Sequence, residues 1–148
     1  MNFEIRRAGR EDVSALAGIE AAQPFAAGWG EKGLLAELDK RESLLLAAFG
    51  PDGAAGFCCA AVLPPEMQIL NIAVSPARAR AGIASALIAA ARSRAVQAGC
   101  ALVTLEVSAA NSAAIALYGK LGFSVVGRRP KFYNGCCDAL LMNLEIMP

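Results

Sequence analysis

With 148 residues, of which 56% are hydrophobic and 18% charged, the chain is too apolar for a disordered segment and suits one compact domain, 1–148, with a single core. Lys and Arg number 14 against 13 acidic residues, a net charge of +1 with no basic run, so nucleic-acid binding is not expected. The apolar stretch Ala54 to Leu63 is too short to span a bilayer, and Met1 to Arg10 lacks the apolar block of a signal peptide, so a cytoplasmic, membrane-free protein is expected.

Taken in chain order, Phe3 to Arg6 reads as a short strand. Arg10 to Gln23 is predicted as a helix, with Val13, Leu16, Ala17 and Glu20 at helical spacing before Pro24. Phe25 to Gly30 is a loop holding the only tryptophan, Trp29, and Glu31 to Lys40 a second helix. Ser43 to Phe49 and Ala54 to Leu63 form a hairpin across the turn Pro51-Asp52-Gly53. Glu66 to Val74 is the next strand, after Pro64-Pro65. A helix from Gly82 to about Ala98 stops at Gly99, and Leu102 to Val107 is a β-branched strand. Asn111 to Leu121 is helical and stops at Gly122; Phe123 to Arg128 and Asp138 to Glu145 are strands.

The unit from Glu66 to Val107 should be a right-handed crossover between parallel strands, flanked by antiparallel hairpins. The expected fold class is α/β: a mixed sheet of about seven strands with helices on both faces.

Five cysteines occur without a histidine. The absence of imidazole and of any C-x-x-C spacing argues against a metal site. Cys58-Cys59 and Cys136-Cys137 should each send one sulfur inward and one outward along a strand. They read, with Cys100, as small apolar residues in a reducing compartment. A general base here must be a carboxylate, tyrosine, lysine, cysteine or water.

Three local patterns carry chemistry. The turn Arg80-Ala81-Gly82-Ile83-Ala84-Ser85 enters the long helix, and a helix N-terminus offers unpaired N–H groups and a positive dipole end to phosphate. Gly82 lets a ligand approach closely, and Arg78 and Arg80 could add contacts. By itself such a turn is more often an ordinary helix start with solvated arginines. In the strand Leu102 to Val107, alternation groups Leu102, Thr104 and Glu106 on one face. A carboxylate there is costly unless solvated, paired or used, and ligands bind at the carboxyl ends of strands in open α/β sheets. Asn111, Ile115 and Tyr118 share one helix face, which is either a capped helix with a core tyrosine or a polar site.

These patterns occur in one order: Asn71-Ile72-Ala73-Val74, the Gly82 turn, Leu105-Glu106-Val107, Asn111 to Tyr118, then Leu121-Gly122-Phe123. In that order the chain resembles the GNAT acetyltransferases over nearly its whole length, and among them the ribosomal-protein-alanine N-acetyltransferase branch. Phe25 to Glu31 resembles that branch's Phe/Trp/Glu loop, and Arg128-Arg129, Phe132-Tyr133 and Asp138-Ala139 its C-terminal pattern.

The resemblance implies acetyl-CoA as cosubstrate, no metal, and the acyl-CoA N-acyltransferase fold. Main-chain groups of Ile72, Ala73 and Val74 would line the pantetheine arm. N–H groups from Arg80 through Ala81, Gly82, Ile83 and Ala84 to Ser85 would hold the pyrophosphate, and Asn111 would bond the cofactor arm. Glu106 would accept the amine proton, and Tyr118 would donate one to the departing thiolate. Trp29 and Tyr133 are candidates for the substrate groove. The chain departs from the family pattern at Ala79, where Gln or Arg is usual, and at Phe132-Tyr133, where two tyrosines are usual.

An α-amine with pKa near ~8 is about one-tenth neutral at pH 7, whereas a lysine near ~10.4 is neutral in fewer than about one molecule in a thousand. One glutamate without histidine suits the α-amine, so the expected partner is a protein N-terminus, such as that of a ribosomal protein. The expected chemistry is direct attack in a ternary complex, by a monomer. The alternatives are acetylation of a small amine or a protein lysine, and an acetyl-CoA-binding sensor or subunit without turnover.

Overall fold

The computed structural model describes residues 3–133 and 137–146, with only the backbone for 131–133. Its strands are β1 (Glu4–Arg7), β2 (Ser43–Gly50), β3 (Gly53–Leu63), β4 (Glu66–Val74), β5 (Leu102–Ser108), β6 (Ser124–Tyr133) and β7 (Cys137–Glu145). Its α-helices are α1 (Val13–Ala21), α2 (Gly30–Leu38), α3 (Ile83–Gln97) and α4 (Ser112–Lys120). The strands form one sheet in the order β1-β2-β3-β4-β5-β7-β6. Only β4 and β5 pair in parallel; the other neighbours are antiparallel.

The expected mixed sheet is therefore present, with two differences in detail. Strand β7 inserts between β5 and β6, so the crossover through α4 skips a position, which strand order along the chain does not reveal. Strand β6 runs on to Tyr133 rather than ending at Arg128. Helix α1 begins at Val13, after a 3-10 turn over Arg10–Asp12 whose start is held by Gly9 N–H donating to Asp12 Oδ2 at 2.8 Å.

Helices cover both faces. On one side α3 presents Ile83, Leu87, Ile88, Ala91 and Ala95, at helical spacing, to Leu44, Leu46, Cys58, Met67, Val103 and Leu105. On the other, α1 and α2 lay Val13, Leu16 and Leu34 over Leu45, Ala47, Phe57 and Cys59. Cys58 and Cys59 do face opposite ways, but both are buried, because β3 is covered on both sides; neither sulfur points outward as expected. Cys100 is buried, Cys137 is half-buried, and Cys136 lies outside the described residues.

Strand β4 carries the feature that shapes the site. Cys59 pairs with Asn71 and Ala60 with Ile69, so Leu70 is an extra residue, a β-bulge. The bulge reverses which residues face which layer. Met67 and Ile69 pack toward α3, whereas Ala73 packs toward α1 and α2.

Candidate active site

Strands β4 and β5 pair only from Glu66–Leu102 to Ile69–Leu105. Beyond the bulge β4 continues to Val74 and β5 to Ser108 without pairing to each other, which leaves a gap between their carboxyl ends. Ser75 N–H donates to Ala55 C=O at 2.8 Å. Antiparallel alternation then directs the Ala73 peptide groups to β3, and those of Ile72 and Val74 into the gap. Of the three residues proposed to line the cofactor arm, Ala73 is thus committed to the sheet by its main chain. The Val74 carbonyl accepts from Gln23 Nε2 at 2.6 Å. On the far side, Ala109 N–H donates to Asp138 C=O at 2.9 Å, so the peptide groups of Glu106 and Ser108 face the gap.

The turn into α3 borders this gap. Arg80 and Gly82 both take left-handed conformations, with φ of +64° and +80°. The first helical bond is Ala86 N–H to Gly82 C=O at 3.0 Å. The N–H groups of Gly82, Ile83, Ala84 and Ser85 precede it and have no partner among the described residues. Ala81 N–H differs, turning back to Arg78 C=O at 3.4 Å. A Cβ on Gly82 would meet nothing within 4 Å, so the turn opens to solvent there.

Arg78 is drawn away from this turn. Its Nη2 pairs with Asp52 Oδ2 at 2.8 Å, on the β2–β3 turn, with the guanidinium over the Phe3 ring. The expected Arg78 contact to phosphate is therefore not preformed, while Arg80 is exposed and without an ion-pair partner among the described residues. A groove of about 270 Å³, lined in part by Phe3, Ala48, Gly82 and Ala86, runs beside the turn. Beneath it, a Cβ on Gly56 would lie 3.0 Å from Ala73 O and 3.2 Å from Ile83 Cγ2. The absence of that atom lets the start of α3 settle on the sheet.

Glu106 and Tyr118 lie on opposite faces of the sheet. Leu105 and Val107 point into the α3-side core, so Glu106 points to the other face, where its side chain keeps 19% exposure. Tyr118 on α4 belongs to the α3-side core, 5% exposed, with its ring 5.7 Å from that of Phe123. Arg129 Nη2 of β6 pairs with Glu106 Oε1 at 2.8 Å, a partner sequence reading did not identify. Asn111 caps α4, its Oδ1 accepting from Ala114 N–H at 3.3 Å, which leaves its Nδ2 without a partner among the described residues.

On the Glu106 face, the loop before α2 is fastened to β4 by buried polar groups. Glu20 accepts from Trp29 N–H and Gly30 N–H, each at 2.8 Å, and from Asn71 Nδ2 at 2.8 Å. Asn71 Oδ1 in turn accepts from Ala27 N–H at 3.2 Å. Burial pushes the Glu20 carboxyl up, but the Asn71 amide and the N–H groups of Gly30, Trp29 and Gly28 outweigh it and hold the pKa below the ordinary value. An acid on the apolar stripe of α1 was the available signal. Trp29 itself is half-buried against the α1–α2 layer. The side chain of Tyr133 lies outside the described residues.

Elsewhere on this face, Glu37 is 6% exposed; burial raises its pKa, but Lys40, Ser43 and Cys59 together lower it. The Cys58 and Cys59 thiols are both pushed up to about 12, chiefly by burial. Among the described residues there is no cluster of metal-ligating side chains and no helix long and apolar enough to cross a membrane.

A parallel strand pair splayed at a bulge, with an open helix start beside the gap, is the framework of an acyltransferase fold. The chain belongs to the acetyltransferase (GNAT) family, whose model matches residues 14–123. It is 39% identical over 95 residues to the ribosomal protein bS18-alanine N-acetyltransferase of Escherichia coli, a match covering 62% of this chain and 64% of that protein. The match thus spans under two thirds of that relative's length. The counterpart from Salmonella typhimurium is 35% identical over 121 residues, 80% of this chain and 81% of its own length. The crystal structure of the Escherichia coli enzyme superposes with a TM-score of 0.88 at 31% identity, covering 99% of this chain and 96% of that one.

Proposed function

We propose that this protein acetylates the α-amino group of a protein N-terminus from acetyl-CoA, with a ribosomal-protein N-terminal alanine as the acceptor. The observation that carries the reading is the gap between β4 and β5, with a carboxylate on one face and a phenol on the other. The similarity to ribosomal-protein-alanine N-acetyltransferases supports the acceptor class.

The residues present fit acetyl-CoA. The unpartnered N–H groups of Gly82, Ile83, Ala84 and Ser85 suit a pyrophosphate, and the main-chain groups of Ile72 with the Val74 N–H suit an extended amide-bearing arm, the Val74 carbonyl being held by Gln23. Bound there, acetyl-CoA supplies a thioester carbonyl open to attack by a neutral amine. Glu106 takes the amine proton, directly or through water, from the face where the loop at Trp29 lies. Tyr118 gives a proton to the leaving sulfur from the other face. Asn111 Nδ2 holds the cofactor arm. No acyl-cysteine is required, since the thiols of Cys58 and Cys59 are buried and protonated.

The test is acetyl transfer from acetyl-CoA to a panel of N-terminal peptides, lysine peptides and free polyamines or amino acids, read by mass spectrometry. Acetylation of alanine-initiated peptides at the α-amine supports the reading. Transfer confined to free amines or lysine side chains, or cofactor binding without transfer, overturns it.

A further inference from the structure

Arg128 and Arg129 are consecutive on β6, so their side chains leave opposite faces of the sheet. Arg128 takes Asp138 as its partner. Arg129 reaches Glu106, although β7 lies between their strands. The register shows how. Ser108, Ala139 and Arg129 form one cross-strand row, and Glu106, Leu141 and Gly127 form the row two residues away on the same face. The strand backbones are two spacings of about 4.8 Å apart. Arg129 therefore spans β7 diagonally, and two small residues allow it. Ala139 stands in its own row, and Gly127 puts no side chain at the outer end of the Glu106 row.

Holding a half-exposed arginine extended across a strand costs rotamer freedom, and an exposed ion pair returns little for it in stability. Its contact with Glu106 is the one that bears on the site. The guanidinium approaches Oε1 at 2.8 Å, the oxygen on its side of the carboxylate. We infer that Arg129 is a positioning residue: it fixes the Glu106 carboxylate through Oε1 so that Oε2 is presented to the acceptor amine. This rests on the proposed role of Glu106 as the base. The carboxylate would otherwise rotate about its side-chain bonds, and a misplacement near 1 Å costs on the order of 100-fold in rate.

The experiment compares Arg129→Met, Arg129→Lys and Glu106→Gln in the full chain, with acetyl-CoA and an alanine-initiated peptide. Arg129→Met should lower kcat roughly 10- to 100-fold, with the KM for acetyl-CoA and the Tm unchanged. Arg129→Lys should recover part of the loss, and free guanidinium at non-denaturing concentration should restore turnover to Arg129→Met. Wild-type kcat in Arg129→Met beside an inactive Glu106→Gln would overturn the role of Arg129 alone. So would a loss that neither lysine nor guanidinium repairs. Full activity in Glu106→Gln would remove the base itself, and the inference with it.

Discussion

Asn71 Nδ2 donates to Glu20 Oε2 at 2.8 Å, and the two residues are 4% and 3% exposed. This bond ties α1 to β4 just past the bulge, and through Glu20 it fixes the backbone of Trp29 and Gly30. Asn71→Ala would remove one donor from the buried Glu20 carboxylate and the acceptor of Ala27 N–H, and should cost about 1–3 kcal/mol in chemical denaturation. The KM for peptide should rise more than that for acetyl-CoA, because the loop held lies on the Glu106 face. An unchanged melting temperature would contradict the account.

Glu20 also sets a pH dependence. Its folded pKa lies below the unfolded value near 4.5, so the unfolded chain binds the proton first as pH falls. The contribution is present above the unfolded pKa and is lost as pH drops through the folded one. Thermal unfolding from pH 6 to pH 3 should show a steeper loss for wild type than for Glu20→Gln. Parallel curves would rule out this linkage.

At the turn into α3, conformation and charge can be separated. Arg80→Gly should relieve a left-handed residue worth roughly 1–2 kcal/mol and raise the Tm, while Arg80→Ala keeps the strain. Both should weaken CoA binding only modestly, because backbone N–H groups form the cradle. Gly82→Ala should weaken it more, since φ is +80° there and the added Cβ enters the space a phosphate needs. Calorimetric titration of CoA gives the ranking; complete loss in Arg80→Ala would refute it.

Gly56→Ala tests packing under the same turn. The new Cβ would crowd Ala73 O and Ile83 Cγ2, and overpacking of this kind costs typically 1–3 kcal/mol. Denaturant midpoint and CoA affinity should fall together, because the strained contact lies at the start of α3. A fall in stability without loss of affinity would break the link.

Tyr118→Phe keeps the packing against Phe123 and removes the hydroxyl. It should lower kcat by about 10²- to 10⁴-fold with little change in CoA affinity. Single-turnover kinetics check this, and unchanged turnover would eliminate Tyr118 as the acid.

The strands and helices were legible in the sequence because each rests on local periodicity, and Glu106 and Tyr118 could be picked out as candidates from short motifs. Leu102 to Ser108 alternates as its composition requires. What was not legible depends on partners distant in the chain. Leu70 reads as one more strand residue, and only pairing with β3 makes it a bulge. Arg129 meets Glu106 only because β7 lies between β5 and β6. Arg78 looked free for phosphate until the β2–β3 turn brought Asp52 beside it. One sulfur of the Cys58–Cys59 pair was expected outside because strand alternation alone does not say that helices cover β3 on both faces.

The central claim is that the reaction crosses the sheet through the gap between β4 and β5. A crystal structure with a bisubstrate analogue, CoA joined through an acetyl bridge to an alanine-initiated peptide, tests this most directly. The account predicts the CoA sulfur in the gap within hydrogen-bond reach of the Tyr118 hydroxyl, the pyrophosphate on the N–H groups of Gly82 to Ser85, and the alanine nitrogen on the Glu106 face. An analogue bound outside the gap, or with its nitrogen and sulfur on the same face of the sheet, would contradict it.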